Sequence, residues 1–410
     1  MDSCKPEPKD PRYAIVLSGG GARAAYQVGV MRGVANVLRK DASNPFHIIS
    51  GTSAGALNAV SLAVQAQRLR TAVHTLEYIW GNLDSSQVYR LDSRGLITSA
   101  SNWAFSFLAN RKRKTPVSLL DNEPLEDLLY RLLKFRRIQQ NMEAGFLESL
   151  SVTASGYGSG DSVSFFQTLG EMENWQRPHR IGVRTELEIR HLLASTAIPT
   201  LFPSVKIGGE YYGDGAIRQL APLSPAIRLG ADRILAIGVS GSQTRRIHEE
   251  EPVYHPSLAQ IIGHVLNSAF VDTLEADITT LRGYNDLLSK CGEAPVQPFR
   301  PIELLEISPS IDLNDIAQEH AHLLPRALKL FIRDTSASSL LSLLLFEQPY
   351  CHALMDLGIR DALARTEEIR EFFRVPDRQS PDLSARNNHR DYAPDTADGN
   401  PQRKRSPVTD

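Results

Sequence analysis

The segment from Ile48 to Val60 reads IISGTSAGALNAV and contains a Gly-x-Ser-x-Gly pattern in which Gly51 and Gly55 flank Ser53. The residues before Ser53 have the apolar character of a short buried strand, and those after it carry the apolar stripe of a helix. A serine at such a strand-to-helix turn is held in strained backbone, and small neighbours let the chain pass close on either side. The N–H groups and dipole of the helix favour an anion at the hydroxyl. This context predicts that Ser53 is a nucleophile rather than part of a mere turn.

Composition narrows the class of protein. The 410-residue chain is 42% hydrophobic and 22% charged, which is typical of a soluble globular protein. Its 45 Lys and Arg against 47 Asp and Glu give a net charge of −2, so no overall attraction to nucleic acid is expected. Cys4, Cys291 and Cys351 are too few and too scattered for a disulfide framework. With no signal-peptide pattern over 1–11 and no apolar run of membrane-spanning length, we expect a cytoplasmic protein.

The order of predicted elements indicates a parallel sheet. An apolar strand over 13–18 leads into a glycine run and a helix over about 24–40, and the nucleophile strand is followed by a helix over about 54–83. Such alternation forms a parallel sheet with crossover helices. Gly29 and Gly33 lie one helical turn apart and allow the close approach of a neighbouring element. Further strands are predicted over 150–154, 163–166, 205–212, 233–239 and 302–307, and helices over 124–137, 187–197, 225–229, 257–288 and 314–373.

We expect one α/β domain, a three-layer α/β/α sandwich with a mostly parallel central sheet, over residues 12–375. A flexible leader over 1–11 precedes it, and a polar tail over 376–410, with almost no large apolar residue, should be disordered. Within the domain, residues 84–115 break the alternation and form an irregular insertion, and residues 257–373 are mainly helical.

The predicted insertion ends in a basic run, Arg111-Lys112-Arg113-Lys114, which follows apolar and aromatic residues. An apolar segment beside a cationic cluster fits a lid or a face that contacts anionic lipid, so peripheral membrane contact is one interpretation. A partly buried insertion with a solvated charged end is the other, and the sequence favours it slightly.

A glycine-rich turn at Gly19, Gly20 and Gly21 follows the first strand and precedes Ala22 and Arg23. Consecutive N–H groups in such a turn can converge on one anion. The run matches neither the G-x-G-x-x-G nor the G-x-x-x-x-G-K-[ST] nucleotide pattern. It fits an oxyanion hole whose N–H donors bind the oxygen of a tetrahedral intermediate, with Arg23 adding positive potential. A tight turn that simply requires glycine is the alternative.

Three motifs in one order resemble the patatin-like phospholipases, a family of serine lipid acyl hydrolases. They are the glycine-rich turn at 19–23, the Gly-x-Ser-x-Gly pattern at 51–55 and Asp214-Gly215-Ala216, which by itself would be read as a turn. Residues 194–203 are similar to the family as well, and the resemblance covers about residues 12–240.

The resemblance implies a patatin-like fold and a catalytic dyad of Ser53 and Asp214 without a catalytic histidine. It implies an oxyanion hole formed by Gly19, Gly20, Gly21 and Arg23. The glycines that support the motifs are Gly51, Gly55 and Gly215.

A dyad needs an unusually basic carboxylate, because an ordinary aspartate has a pKa near 3.9. Partial burial of Asp214 would raise its pKa, and the helix terminus at Ser53 would ease formation of the alkoxide. The competing arrangement is a Ser-His-Asp triad, for which His248, His255 and His264 follow Asp214 in the chain. No zinc pattern is found, so neither a metal nor another cofactor is expected.

We therefore expect a carboxylic ester hydrolase that cleaves the acyl esters of a phospholipid, lysophospholipid or acylglycerol through an acyl-serine intermediate. Attack by an alcohol instead of water would give transacylation. A catalytically silent protein that binds lipid or a partner on the same fold is the alternative, and a nucleotide-binding module is disfavoured. The sequence sets neither the head group nor the acyl-chain length nor the oligomeric state.

Overall fold

The computed structural model describes residues 10–90, 118, 120–241, 255, 258–290, 300–325, 328–329 and 338–375. The predicted tail, nearly all of the predicted leader and most of the predicted insertion, including the basic run at 111–114, lie outside these residues.

The strands and helices follow the chain in this order. The strands are β1 (Tyr13–Leu17), β2 (Ile48–Thr52), β3 (Ser149–Gly156), β4 (Ser162–Thr168), β5 (Trp175–Arg177), β6 (Arg180–Arg184), β7 (Val205–Ile207), β8 (Glu210–Asp214), β9 (Arg233–Ile237) and β10 (Glu303–Ile307). The helices are α1 (Ala25–Val37), α2 (Ala54–Val64), α3 (Leu69–Gly81), α4 (Ser85–Val88), α5 (Glu123–Leu132), α6 (Arg136–Glu143), α7 (Ile189–Ser195), α8 (Ser224–Arg228), α9 (Leu258–Asn267), α10 (Thr273–Lys290), α11 (Leu313–Glu319), α12 (Ser338–Leu344), α13 (Gln348–Ala364) and α14 (Thr366–Phe372).

The ten strands of the described residues form one mixed sheet. Strands β10, β9, β1, β2 and β3 lie side by side and run parallel. Strand β4 pairs antiparallel with β3, and β6 and β5 extend the sheet beyond it. The hairpin of β7 and β8 attaches to the end of β3 through β8. The predicted α/β fold with a mostly parallel central sheet is confirmed.

Helices cover both faces of the sheet. On one face, Val16 and Ile48 pack in a core with Leu229 after α8 and with Leu274 and Ile278 of α10. Successive strand residues point to opposite faces. Ile15, Leu17 and Ile49, which alternate with that set, are also fully buried, so the second face is covered as well. None of the described helices combines the length and the hydropathy that a membrane span requires.

Strand register brings the glycine-rich turn at 19–23 and the Gly-x-Ser-x-Gly turn at 51–55 to one edge of the sheet. Leu17 at the end of β1 is paired with Gly51 on β2, and Thr52 is paired with Thr153 on β3. Because parallel strands end at a common edge, the glycine-rich turn after β1 lies beside the turn that carries Ser53.

The close approach predicted from Gly29 and Gly33 is made by α13. A Cβ added at Gly29 would overlap the carbonyl oxygen of Met355, and one added at Gly358 would overlap the carbonyl oxygen of Tyr26. Glycines on both helices therefore let the backbones of α1 and α13 touch, a partnership that spans more than 300 residues of sequence.

The single helix predicted over 54–83 is wrong, because the chain forms α2 and α3 instead. The break falls at residues 65–68, where Arg68 has extended backbone with φ −144° and ψ 118°. Helix α2 is buried on nearly all sides, whereas α3 buries one stripe that packs onto α1, α2 and α13. Because the apolar pattern continues through both helices, the sequence did not indicate the turn between them.

The predicted irregular insertion begins with a regular helix, α4. The Asp84 carboxylate accepts a hydrogen bond from the Ser86 N–H at 2.8 Å, and Gln87 Oε1 accepts one from the Asp84 N–H at 3.1 Å. This reciprocal pair is a capping box, which satisfies N–H groups at the helix start. Strands β5 and β6 and helix α6 were likewise not predicted.

A glycine-to-alanine substitution should change the stability of the protein in opposite directions at the contact between α1 and α13 and at an exposed helical position. Gly29→Ala should lower the free energy of unfolding by about 1–3 kcal/mol, because the new methyl group must push the helices apart. Gly283→Ala, on an exposed part of α10 with open space around the new methyl group, should raise it by about 0.5–1 kcal/mol. Urea denaturation of both variants measures the difference, and equal effects would contradict the packing argument.

Candidate active site

Ser53 links β2 to α2 with a φ of 53° and a ψ of −130°. A residue with a side chain rarely adopts a positive φ, and the strain is on the order of 1–3 kcal/mol. Close packing explains both flanking glycines. A Cβ at Gly55 would overlap the carbonyl oxygens of Leu17 and Ser18, and one at Gly51 would overlap the Gly55 carbonyl oxygen. The Gly-x-Ser-x-Gly pattern is thus required by the turn itself.

The Ser53 hydroxyl donates a hydrogen bond of 2.5 Å to Oδ2 of Asp214. Ser53 is 2% exposed and Asp214 is fully buried. A length of 2.5–2.7 Å is typical of a hydroxyl that donates to an ionised carboxylate. The two side chains that the motifs singled out are therefore in direct contact, although 161 residues separate them.

Asp214 is the last residue of β8, and its backbone is fixed on both sides. Its N–H donates to the Ala197 carbonyl at 2.8 Å, and its own carbonyl accepts from the Ser155 hydroxyl at 2.7 Å. The next residue, Gly215, lies against β3 so closely that a Cβ there would overlap the Thr153 carbonyl oxygen. The Asp-Gly sequence therefore lets the carboxylate reach the strand edge where Ser53 stands.

Burial raises the pKa of Asp214 to about 7, although hydrogen bonds from the Ser53 hydroxyl and the Ala216 N–H lower it in part. The Ala216 N–H donates to Oδ1 at 2.9 Å. Desolvation disfavours the charged form of a carboxyl group, and this accounts for the direction of the shift. A carboxylate with a pKa near neutrality accepts a proton much more readily than an exposed aspartate does.

Two side chains that sequence reasoning missed brace the strand ends. The Ser195 hydroxyl accepts a hydrogen bond from the Ser53 N–H at 2.9 Å and donates to the Thr153 carbonyl at 2.6 Å. Gln219 accepts from the Thr52 hydroxyl at 2.5 Å and donates to the Thr153 hydroxyl at 3.2 Å. Ser195 lies in the segment that resembles the family, but nothing local in the sequence marked it or Gln219 as a brace.

The glycine-rich turn lies against the nucleophile. A Cβ at Gly19 would be 3.1 Å from the Ser53 Cβ and would collide with the ring of Phe270. Gly21 has a φ of 54° and lines the same cavity as Ser53. Within the described part of the chain, the N–H groups of Gly19 and Gly20 have no hydrogen-bond acceptor. The Ser53 N–H already donates to the Ser195 hydroxyl. The N–H groups of Gly19 and Gly20 are the donors of this turn that could bind an anion formed at the Ser53 hydroxyl.

Arg23 is 2% exposed, and its side chain is held by hydrogen bonds to the C-terminal part of the chain. Its Nε and Nη2 donate to the Ser342 hydroxyl at 2.9 and 2.7 Å. Its Nη1 donates to Asn267 Oδ1 at 3.1 Å, and Nη2 also donates to Asn314 Oδ1 at 3.0 Å. No hydrogen bond joins Arg23 to Ser53 or Asp214, so any effect on the oxyanion must act through its charge.

An apolar cavity of about 750 Å³, including its open mouth, begins at Ser53. The walls come from α2, α3, α5 and the segments after α7 and α12, which are distant in sequence. The apolar wall residues are Leu57, Leu76, Ile79, Trp80, Leu83, Val88, Leu125, Leu128, Leu129, Leu132, Leu133, Ile198, Phe202 and Phe346.

Of the histidines considered for a triad, His255 and His264 make no hydrogen bond to the Asp214 carboxylate. His255 and His264 are both exposed, and in the described residues the Asp214 carboxylate accepts only from Ser53 and Ala216. His248 lies outside the described residues. The part of the chain that the structure describes also holds no group of side chains suited to bind a metal ion.

The chain belongs to the patatin-like phospholipase family, whose model matches residues 15–227, just over half of the sequence. The resemblance seen in the three motifs is thereby confirmed. Membership in this family supports hydrolysis of lipid esters as the general reaction. No curated protein matches the sequence.

The solved structures that match this chain share little sequence with it. VipD from Legionella pneumophila is 14% identical, with 84% of this chain and 67% of that chain covered and a TM-score of 0.30. The type III effector ExoU is 13% identical, with 88% and 54% covered and a TM-score of 0.35. Human GIVD cytosolic phospholipase A2 is 11% identical, with 91% and 61% covered and a TM-score of 0.42. The chain thus spans between 54% and 67% of the length of these proteins.

The raised pKa of Asp214 predicts a pH-dependent cost to stability. The folded state holds the proton more tightly than the unfolded state, whose carboxyl has a pKa of 3.8, so stability falls as the pH rises from about 4 to 7. Asp214→Asn removes this loss, and above pH 7 it should be more stable than wild type by up to about 4 kcal/mol. Urea denaturation between pH 5 and 8 tests this, and parallel curves for the two proteins would contradict it.

Ser53→Ala provides the matched control for that series. Its hydroxyl lowers the pKa of Asp214, so its removal should shift the destabilising window toward higher pH.

Proposed function

We propose that this protein hydrolyses acyl esters of lipids through an acyl-serine intermediate, with Ser53 as nucleophile and Asp214 as general base. The observation that carries the proposal is the 2.5 Å hydrogen bond between a strained serine and a fully buried carboxylate. The apolar cavity that starts at the same serine supports an acyl chain as the bound group.

The proposed reaction has two halves. Ser53 Oγ attacks the ester carbonyl carbon while its proton passes to Asp214, and collapse of the tetrahedral intermediate returns that proton to the departing alcohol. Asp214 then takes a proton from a water molecule, whose oxygen attacks the acyl-serine carbonyl. The second collapse releases the fatty acid and returns the proton to Ser53 Oγ. An alcohol in place of the water would give a transacylated product.

The oxyanion is assigned to the glycine-rich turn. Gly19 lies beside Ser53, Gly20 follows it with an N–H that has no acceptor among the described residues, and Gly21 lines the cavity. One such donor contributes about 3 kcal/mol of transition-state stabilisation, because it is oriented before charge develops. Arg23 is assigned a supporting role, in which its buried positive charge lowers the energy of the oxyanion.

The substrate class follows from the division of the site into an apolar cavity and an open mouth. The cavity would hold the acyl chain, and the head group would remain at the mouth, so phospholipid, lysophospholipid and acylglycerol all fit the proposal. Peripheral contact with a membrane would deliver such a substrate. The basic run at 111–114 is the segment predicted for that contact.

Substitution of either dyad residue should abolish most of the activity. Ser53→Ala removes the attacking oxygen, and Asp214→Asn should lower kcat by about 10²–10⁴-fold because the general base is lost. Hydrolysis of a panel of phospholipid, lysophospholipid and acylglycerol substrates measures both effects. Ser149→Ala is the control, since this buried serine stands at the opposite end of β3.

A fluorophosphonate probe separates an enzyme from a silent binding protein on the same fold. The probe should modify the wild type and the Ser149→Ala control but not the Ser53→Ala variant. If the wild-type serine stayed unmodified and no substrate of the panel were cleaved, the hydrolase assignment would fail.

The pH profile of hydrolysis should distinguish the dyad from a triad. The base acts when it is deprotonated, so kcat/KM should rise with pH to a midpoint near 7, set by the raised pKa of Asp214, and stay level above it. A histidine base would give a similar midpoint, but imidazole ionisation absorbs much heat whereas carboxyl ionisation absorbs little. The midpoint should therefore barely move between 10 and 35 °C, and a marked fall on warming would favour a histidine.

A further inference from the structure

The charge of Arg23 is buried, and no carboxylate of the described residues is hydrogen-bonded to it. Its acceptors among these residues are neutral oxygens, from Ser342, Asn267 and Asn314. Burial lowers the pKa of its guanidinium, while Tyr350 and Asp312 raise it, and an arginine stays protonated under these influences. The Asp312 carboxylate is itself engaged as the N-cap of α11, where it accepts from the Asn314 N–H at 2.9 Å.

Neutral acceptors are the weaker choice for a buried guanidinium. A carboxylate in the same position would form a stronger, charge-assisted hydrogen bond and would cancel the charge. Three neutral partners instead accept hydrogen bonds from Nε, Nη1 and Nη2, and the Asp312 carboxylate offsets the positive charge only through space, without a hydrogen bond to Arg23. Such an arrangement gives up stability, and this indicates that the charge itself is used.

The three partners also lie where they can act on the oxyanion turn. Arg23 follows Gly21 by two residues, and the carbonyl oxygen of Leu343, next to Ser342, occupies the space that a Cβ of Gly21 would need. On the other side, Phe270, three residues after Asn267, packs against Gly19. The cluster therefore borders the turn at both ends, although all of its C-terminal members lie beyond the range 15–227 that the family model matches.

We propose that Asn267, Asn314 and Ser342 are positioning residues, which hold the Arg23 guanidinium through neutral oxygens so that its charge stabilises the oxyanion formed at Ser53. This inference rests on the proposed function. It assigns the C-terminal helices α9, α11 and α12 a part in the chemistry rather than in packing alone.

Asn314→Asp is the decisive variant. Oδ1 of Asn314 accepts from both Arg23 Nη2 and the Ser342 hydroxyl, and a carboxylate of the same shape keeps both hydrogen bonds while it neutralises the guanidinium. We expect kcat to fall at least about tenfold with KM little changed, because the loss is confined to the transition state. The Tm should not fall, because the new ion pair is stabilising.

Asn314→Ala is the matched control, because it loses the hydrogen bond but leaves the charge. It should lower the Tm yet reduce kcat less than Asn314→Asp does. A purely structural role predicts the reverse order, with activity following stability, and that result would overturn the inference.

Arg23→Gln, alone and combined with a substitution at Asn314, completes a double-mutant cycle. It should lower kcat by about 10²-fold, and adding Asn314→Ala to it should cause no further loss, because the neutral change at residue 314 acts on kcat only by releasing Arg23. Additive losses would contradict the inference. If Arg23→Gln left kcat unchanged, the role of Arg23 would fail, while the Ser53→Ala and Asp214→Asn variants would still decide the dyad separately.

Discussion

The hydrogen bond between the Ser53 hydroxyl and the Asp214 carboxylate is the constraint on which the rest of the site depends. It joins the ends of two strands that are not neighbours, so β2, β3 and β8 must all hold their register for it to form. It also needs the left-handed backbone at Ser53, which the chain would otherwise avoid. The Ser195 hydroxyl ties that backbone to β3 and so fixes the strained turn against the strand that also orients Asp214.

Burial of the Asp214 carboxylate makes it a better general base and at the same time lowers the stability of the folded state, because both effects follow from its raised pKa. Removal from water raises its pKa to about 7, which brings its basicity close to what general-base catalysis requires near neutral pH. The neighbouring hydroxyl of Ser155 bonds the backbone of Asp214 rather than its carboxylate. Among the described residues the carboxylate receives two hydrogen bonds, which orient it and lower its pKa only in part.

The glycine-rich turn is completed by parts of the chain far from it. Leu343 and Phe270 fill the space beside Gly21 and Gly19, and α13 packs backbone to backbone on α1, the helix that follows the turn. A domain limited to the strands and helices that carry the three motifs would lack these contacts. The C-terminal helices are thus part of the site's support, whatever their other roles.

The sequence by itself determined the local features: the buried strands, the turn around Ser53, the glycine run and the carboxylate after the hairpin. Each depends on residues near one another in the chain, where apolar periodicity and glycine are informative. Only the tertiary structure decided which helix meets Gly29, which hydroxyl braces Ser53, where the helix over 54–83 breaks and which walls enclose the cavity. These contacts join residues up to several hundred positions apart, and a side chain such as Ser195 or Asn314 gains its role only from what packing places opposite it.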